Sequence, residues 1–223
     1  MATFNGNILN YLVKMKTTIS ILIVLCLISC DTPKSTSKTD VEKRELVPEP
    51  DKELRLAYEQ QRDSLQEALQ PIKENFKRIN ATKQWTLIEP IELFESTEGG
   101  EAKYYYADTT LEKISAQYLG ETYQILTEYY LLNNALSFSF EKVYKYNRPI
   151  YWDSTAMVEN NDNQVWDFEK SEITEKRSYF TNGKLFHQIN SQNSTDLTNQ
   201  AYIKEENLAI QTEFEKLLKL KNE

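Results

Sequence analysis

The apolar residues of this chain change their spacing several times along its length. Ile19 to Ile28 is a near-continuous apolar run, about ten residues long and so half the roughly 20 that a membrane-spanning helix needs. Asp31 to Pro50 is polar, with Pro33, Pro48 and Pro50 and almost nothing to bury. It reads as a disordered tether, and its ~20 residues reach at most ~70 Å. After Asp51 the apolar positions are Leu54, Tyr58, Leu65, Leu69, Ile72, Phe76 and Ile79, in steps of four, seven, four, three, four and three. That spacing keeps one stripe on a helix. Asp51 is placed to cap it, with Glu53 in the first turn. Pro71 predicts a kink or a break, because proline lacks the donor and crowds the preceding turn.

From Gln84 to about Asn190 the pattern becomes that of strands, rich in Tyr, Thr, Ile, Val and Phe,. The clearest hairpin turns at Asn133-Asn134, where asparagine tolerates positive φ. An unbroken register from that turn sets Leu131 against Leu136, Tyr129 against Phe138 and Tyr123 against Tyr144. It sets Tyr130 against Ser137 and Glu128 against Ser139 on the other side. One face is then greasy and the other mostly polar, as in a sheet covered on one side. The same unit occurs three times, as YYADTTL (105–111), YLLNNAL (130–136) and YFTNGKL (179–185). Its leucines are 25 and 49 residues apart, one and two periods,, and Asn182-Gly183 carries the strongest turn signal.

Leu208, Ile210, Phe214, Leu217 and Leu218 form the face of a C-terminal helix, with Ser194, Thr195 or Asp196 as candidate caps. The expected fold is α+β: an antiparallel β-meander of about six or seven strands packed against an N-terminal and a C-terminal amphipathic helix. Both helices are expected on the greasy side. A long segment, Asn147 to Glu169, interrupts the meander. Segments of this length without structure of their own are uncommon and often functional.

Composition narrows the function. The net charge is −8, and Lys14 and Lys16 are the only charges before Asp31, so the chain from Cys30 onward carries −10. With no long basic tract, nucleic acid is not an expected partner. The only cysteines are Cys26 and Cys30, both at the end of the N-terminal apolar run. They leave no pair for a disulfide or a thiolate zinc site elsewhere. The positive flank of Lys14 and Lys16, the short apolar core and the closing Leu27-Ile28-Ser29-Cys30 resemble a bacterial lipoprotein signal with its lipobox. The resemblance covers about fifteen residues. It implies diacylglycerol on Cys30, cleavage before it, and stable anchoring by two or three acyl chains. An ordinary secretory signal would leave Cys30 as a lone thiol in an oxidising compartment. The expected organisation is a signal peptide at 1–29, a lipidated cysteine and tether at 30–50, and one domain at 51–223. Met15-Lys16 is a second candidate start. The expected location is the bacterial cell envelope, membrane-anchored and facing the periplasm. The three hairpin units also resemble, over about a third of the chain, Tyr/Phe-x-Asn-Gly repeats of uncharacterised envelope proteins, which implies a meander and transfers no activity.

No catalytic motif is legible. His187, the one histidine, shares strand parity with Leu185 and Ile189 and sits across from Ser178, but no nucleophile elbow or third partner accompanies the pair. Glu89, Glu92 and Glu95, around Pro90, read as solvated loop charges. Asp153, Glu159, Asp162 and Asp167 lack the spacing and the glycine of a calcium loop. No metal or cofactor is expected. The residues singled out for contact are Tyr151 and Trp152, with Trp166 and Phe168 at the other end of the insertion, since aromatic rings bring large area at low entropic cost. The competing reading folds them back onto the sheet. The expected function is a non-enzymatic envelope module that binds a protein or a polysaccharide. The alternative is a carrier or sensor that holds an apolar or sugar ligand between sheet and helices, with a hydrolase third.

Overall fold

The computed structural model describes residues 52–192 and 199–221. Cys30, the signal peptide, the tether, Asp51 and the three candidate caps at 194–196 lie outside them. Helix α1 (Lys52–Ala81) precedes strands β1 (Leu87–Leu93), β2 (Gly100–Ala107), β3 (Thr110–Leu119), β4 (Tyr123–Leu132) and β5 (Ala135–Lys145). The short helix α2 (Ser154–Glu159) and a 3₁₀ turn (Phe168–Lys170) follow, then β6 (Glu172–Thr181), β7 (Lys184–Asn190) and α3 (Gln200–Leu220). The seven strands form one antiparallel sheet in sequence order, β1 to β7. The architecture is an α+β meander. No helix among the described residues is long and apolar enough to cross a membrane.

The three repeated units each make a hairpin. Their turns centre on Asp108, on Asn133-Asn134 and on Asn182-Gly183, where Asp108, both asparagines of the second turn, Asn182 and Gly183 all have positive φ. In each hairpin the second residue of the unit pairs with its leucine: Tyr106 with Leu111, Leu131 with Leu136, Phe180 with Leu185. One extra residue follows that leucine in every copy, so Tyr105 pairs with Lys113, Tyr130 with Phe138 and Tyr179 with His187. These are three β-bulges at one place in the repeat, formed by Glu112, Ser137 and Phe186.

The bulge overturns most of the expected register of the central hairpin. Leu131 does face Leu136, but Tyr129 pairs with Ser139, Glu128 with Phe140 and Tyr123 with Lys145. One slipped residue exchanges the two faces of a strand. Phe138 and Phe140 therefore join Tyr130 on one side, while Ser139 moves to the other beside Tyr129. Both faces of the sheet become apolar over part of their area, and one covering helix no longer suffices.

The two long helices accordingly cover opposite faces, not the same one. Leu69, Ile72 and Ile79 of α1 pack with Tyr130, Phe138 and Tyr179. Phe214 and Leu217 of α3 pack with Tyr104, Ile114, Tyr129, Leu131 and Phe180. Tyr129 and Tyr130 are consecutive strand residues, so their side chains point to opposite faces. Helix α1 runs through Pro71 without a break, and only its second half is buried. Leu54, Leu56 and Tyr58 are exposed. Helix α3 is capped by Asn199, whose side chain accepts from the Tyr202 amide at 3.2 Å. Leu208, read as part of its buried face, is 65% exposed.

Side chains satisfy the backbone where the bulges interrupt the ladder. At the central bulge the Tyr130 carbonyl accepts from the Ser137 hydroxyl at 3.0 Å, and the Leu131 carbonyl from the buried Asn75 amide of α1 at 2.8 Å. Arg78 donates to the Asn75 side-chain oxygen at 2.7 Å and also holds Glu112, the bulge residue of the first hairpin. Helix α1 thus reads two bulges at once. Replacing Asn75 by Leu keeps the volume but leaves the Leu131 carbonyl buried without its donor, a loss of ~1–3 kcal/mol. Urea unfolding of N75L should show that loss, whereas exposed Leu54→Asn should change stability by under ~0.5 kcal/mol.

Candidate functional site

Helix α3 crosses its face of the sheet diagonally. Its start lies on β7 and β6, where Asn207 accepts from the Leu185 amide at 2.8 Å and Glu206 from Lys176 at 3.0 Å. Its end lies on β2, where the Tyr104 hydroxyl donates to the Leu217 carbonyl at 2.6 Å. The helix rises ~31 Å over its length, enough to cover the ~24 Å between β2 and β7. Beneath its middle the sheet turns polar. Tyr129, Ser139, Ser178 and Gln188 are successive register partners across four strands, and Thr127, Glu141 and Lys176 form the next row.

A cleft of about 360 Å³ opens between that polar floor and α3. Thr127, Tyr129, Ser139, Glu141, Lys176 and Ser178 form its floor, and Tyr118, Tyr123 and Ile125 extend it. Glu206, Ala209, Ile210, Glu213 and Lys216 come from the helix, and Glu95 and Ser96 from the loop after β1. The volume lies near the lower end of the range for small-molecule sites.

Charge networks hold both ends. At one end Lys176 donates to Glu206 and lies 3.4 Å from Glu141. Burial works against its charge, but Glu141 and Glu206 outweigh that and raise its pKa above the ordinary lysine value. Gln188 donates to Ser178 at 2.9 Å and to Glu206 at 3.0 Å, and accepts from the Tyr202 hydroxyl at 2.6 Å. At the other end Lys216 donates to Glu95 and to both oxygens of Glu213, and the Tyr118 hydroxyl donates to Glu213. Burial and then Glu213 push the Tyr118 phenol up, so it stays protonated. Lys216 is likewise raised, Glu95 and Glu213 outweighing its burial. Between these ends Thr127 and Ser139 are more than nine-tenths buried, at 8% and 3% exposure, and they line the cleft. Neither hydroxyl has a hydrogen-bond partner among the described residues.

Sequence reasoning missed this site. A straight hairpin register puts Ser139 opposite Glu128, away from Tyr129. The bulge after Leu136 carries no residue signal, since Glu112, Ser137 and Phe186 share no chemistry. Ser178 and His187, read as neighbours, lie on opposite faces: Ser178 pairs with Gln188, and His187 with Tyr179, whose ring centre is 5.4 Å away.

The residues singled out in the insertion have separate fates. The Trp166 amide donates to the Trp152 carbonyl at 2.8 Å, which draws the two ends together. Phe168 stacks on Tyr144 with ring centres 5.2 Å apart, and Trp166 meets Tyr146 edge-on at 6.0 Å. These two therefore fold back onto the end of β5, while Tyr151 is exposed. The indole N–H groups of Trp152 and Trp166 are buried without a partner. Three acidic residues of the segment have structural work. Asp153 caps α2, Asp167 caps the 3₁₀ turn, and Asp162 takes a two-pronged contact from Arg148. That contact holds the Asp162 carboxyl far below the ordinary range. Glu89 and Glu92 sit in β1 and not in a loop, and Glu95 is the one drawn to the cleft. Among the described residues no group of His, Cys, Asp or Glu is placed to hold a metal ion.

Two outcomes follow from this geometry. Arg148→Ala removes the clasp on Asp162, so limited proteolysis should cut within 147–169 faster than in the parent chain, with the sheet left intact. Burial, with Lys73 adding to it, lowers the His187 pKa. The unfolded chain then binds this proton more readily, so its contribution is complete above the ordinary value near 6.5 and falls as pH drops through it. Thermal unfolding should give a lower Tm at about pH 5.5 than at about pH 7.5, and His187→Phe should remove part of the drop. Equal drops in both proteins would exclude His187 as a source. No protein-family model, curated protein or solved structure matches this chain.

Proposed function

We propose that this chain is a lipoprotein of the bacterial cell envelope, held to a membrane by lipid on Cys30 and facing the periplasm. Its folded domain is a non-enzymatic binding module that holds a small ligand in the cleft between α3 and the sheet, as a carrier or sensor. The observation that carries this reading is the pair of residues more than nine-tenths buried, Thr127 and Ser139, whose unpartnered hydroxyls open onto the floor of that cleft. A hydroxyl that faces a cleft from a residue otherwise sunk in the fold is held in place to pair with the polar groups of a bound molecule.

Binding is favoured over catalysis because the groups that would move protons are engaged. Lys176 is held protonated by Glu141 and Glu206, which removes it as a base for Ser178. His187 stands on the other face of the sheet. A second reading, contact with an envelope protein or polysaccharide through the insertion, is favoured by the unpartnered indoles of Trp152 and Trp166 beside exposed Tyr151.

Labelling with a palmitate analogue should mark the parent chain, and Cys30→Ser should lose both the label and membrane association. Native mass spectrometry of the full chain, gently extracted from membranes, should show a reproducible adduct beyond its acyl groups. An adduct that survives in Tyr151→Ala but disappears in Ala209→Phe would fit the cleft. One with the opposite dependence would move the site to the insertion.

A further inference from the structure

We infer that the cleft takes a neutral saccharide or polyol, an inference that rests on the cleft being the binding site. Four carboxylates, Glu95, Glu141, Glu206 and Glu213, line it against two ammonium groups, Lys176 and Lys216. The excess negative charge repels phosphate, sulfate and carboxylate ligands, and no cationic group is left over to offset it. A cation would have to share its carboxylates with a lysine and meet that lysine's charge, since Glu206 and Glu141 engage Lys176, and Glu95 and Glu213 engage Lys216. An apolar molecule would seal the Thr127 and Ser139 hydroxyls away from any partner, which disfavours its entry.

A polyol meets each of these constraints. Each ligand hydroxyl both donates and accepts, as do Thr127 and Ser139, so the two can pair in either direction. Spare lone pairs on the four carboxylates accept further hydroxyls without disturbing the lysine contacts. Tyr123 lines the same cleft half-buried, and its ring face suits the C–H face of a pyranose. The networks at both ends are already formed, so binding requires little reordering of the protein.

The test is titration calorimetry on the full chain in detergent. The neutral probes are glucose, N-acetylglucosamine, maltose, cellobiose and chitobiose. The contrasting probes are glucuronate, glucose 6-phosphate, putrescine and decanol. At least one neutral saccharide should bind, with anionic sugars at least about tenfold weaker. Ser139→Ala with Thr127→Val should weaken that binding by about tenfold or more and leave Tm unchanged, because neither hydroxyl has a protein partner to lose. Ala209→Phe, which fills the cleft from the helix side, should abolish binding independently. Saccharide binding untouched by both changes would overturn the inference by placing the site elsewhere. Binding of putrescine or decanol that these changes abolish, with no saccharide bound, would overturn the ligand class and keep the cleft. Failure of every probe, together with an adduct-free native mass, would remove both.

Discussion

The residue inserted after the leucine of each hairpin unit is the constraint from which the rest of this structure follows. Strand side chains alternate with period two, so one extra residue exchanges the faces of everything beyond it. In the central hairpin it sends Phe138 and Phe140 to the side of Tyr130, and Ser139 and Glu141 to the side of Tyr129. Aromatic residues thereby reach the α1 face. A polar strip reaches the α3 face, where a continuous apolar floor would have let the helix lie flat.

That division explains why the two long helices are so differently held. Helix α1 packs by apolar contact with Tyr130, Phe138 and Tyr179, and its polar side chains, Asn75 and Arg78, serve the backbone and charge left by two bulges. Helix α3 is apolar against the sheet at Phe214 and Leu217, but over the strip it is held by Glu206 through Lys176, by Glu213 through the Tyr118 hydroxyl and by Lys216 through Glu95. Ion pairs buried to this extent gain from attraction but lose hydration, so their net contribution to stability is modest. They serve to fix position. The cleft exists because the helix is pinned at both ends over a surface it does not fill.

Much of the sheet was legible in the residues. The recurrence of Tyr, apolar, any, Asn or Asp, two more and Leu located three hairpins, because positive φ at the turn restricts the residue choice,. The leucine partners also followed from the turn geometry. The bulges did not, because an inserted residue of this kind needs no glycine and the three copies use Glu112, Ser137 and Phe186. From that one omission came the misplaced Ser139, the pairing of His187 with Ser178, and both helices on one face. The stripe of α1 was visible as a period, but its extent was not: Leu54 and Tyr58 keep the rhythm while standing in solvent. The aromatic insertion stood out by composition, and the cleft did not, since it is assembled from ordinary serines, tyrosines, one threonine and charged residues on four strands, a loop and a helix.

The strand order has a consequence for how this chain reaches its native state. Every strand pairs only with its neighbours in sequence, so each hairpin closes a short loop and can form before the rest of the chain is available. A chain released from its N-terminus first would build β1 through β7 progressively, with α1 already present to cover one face as it grows. The opposite face must wait for α3, which follows β7 in the chain. Until it docks, Tyr104, Ile114, Tyr129 and Phe180 remain open to water together, and that interval is when the protein is most exposed to self-association.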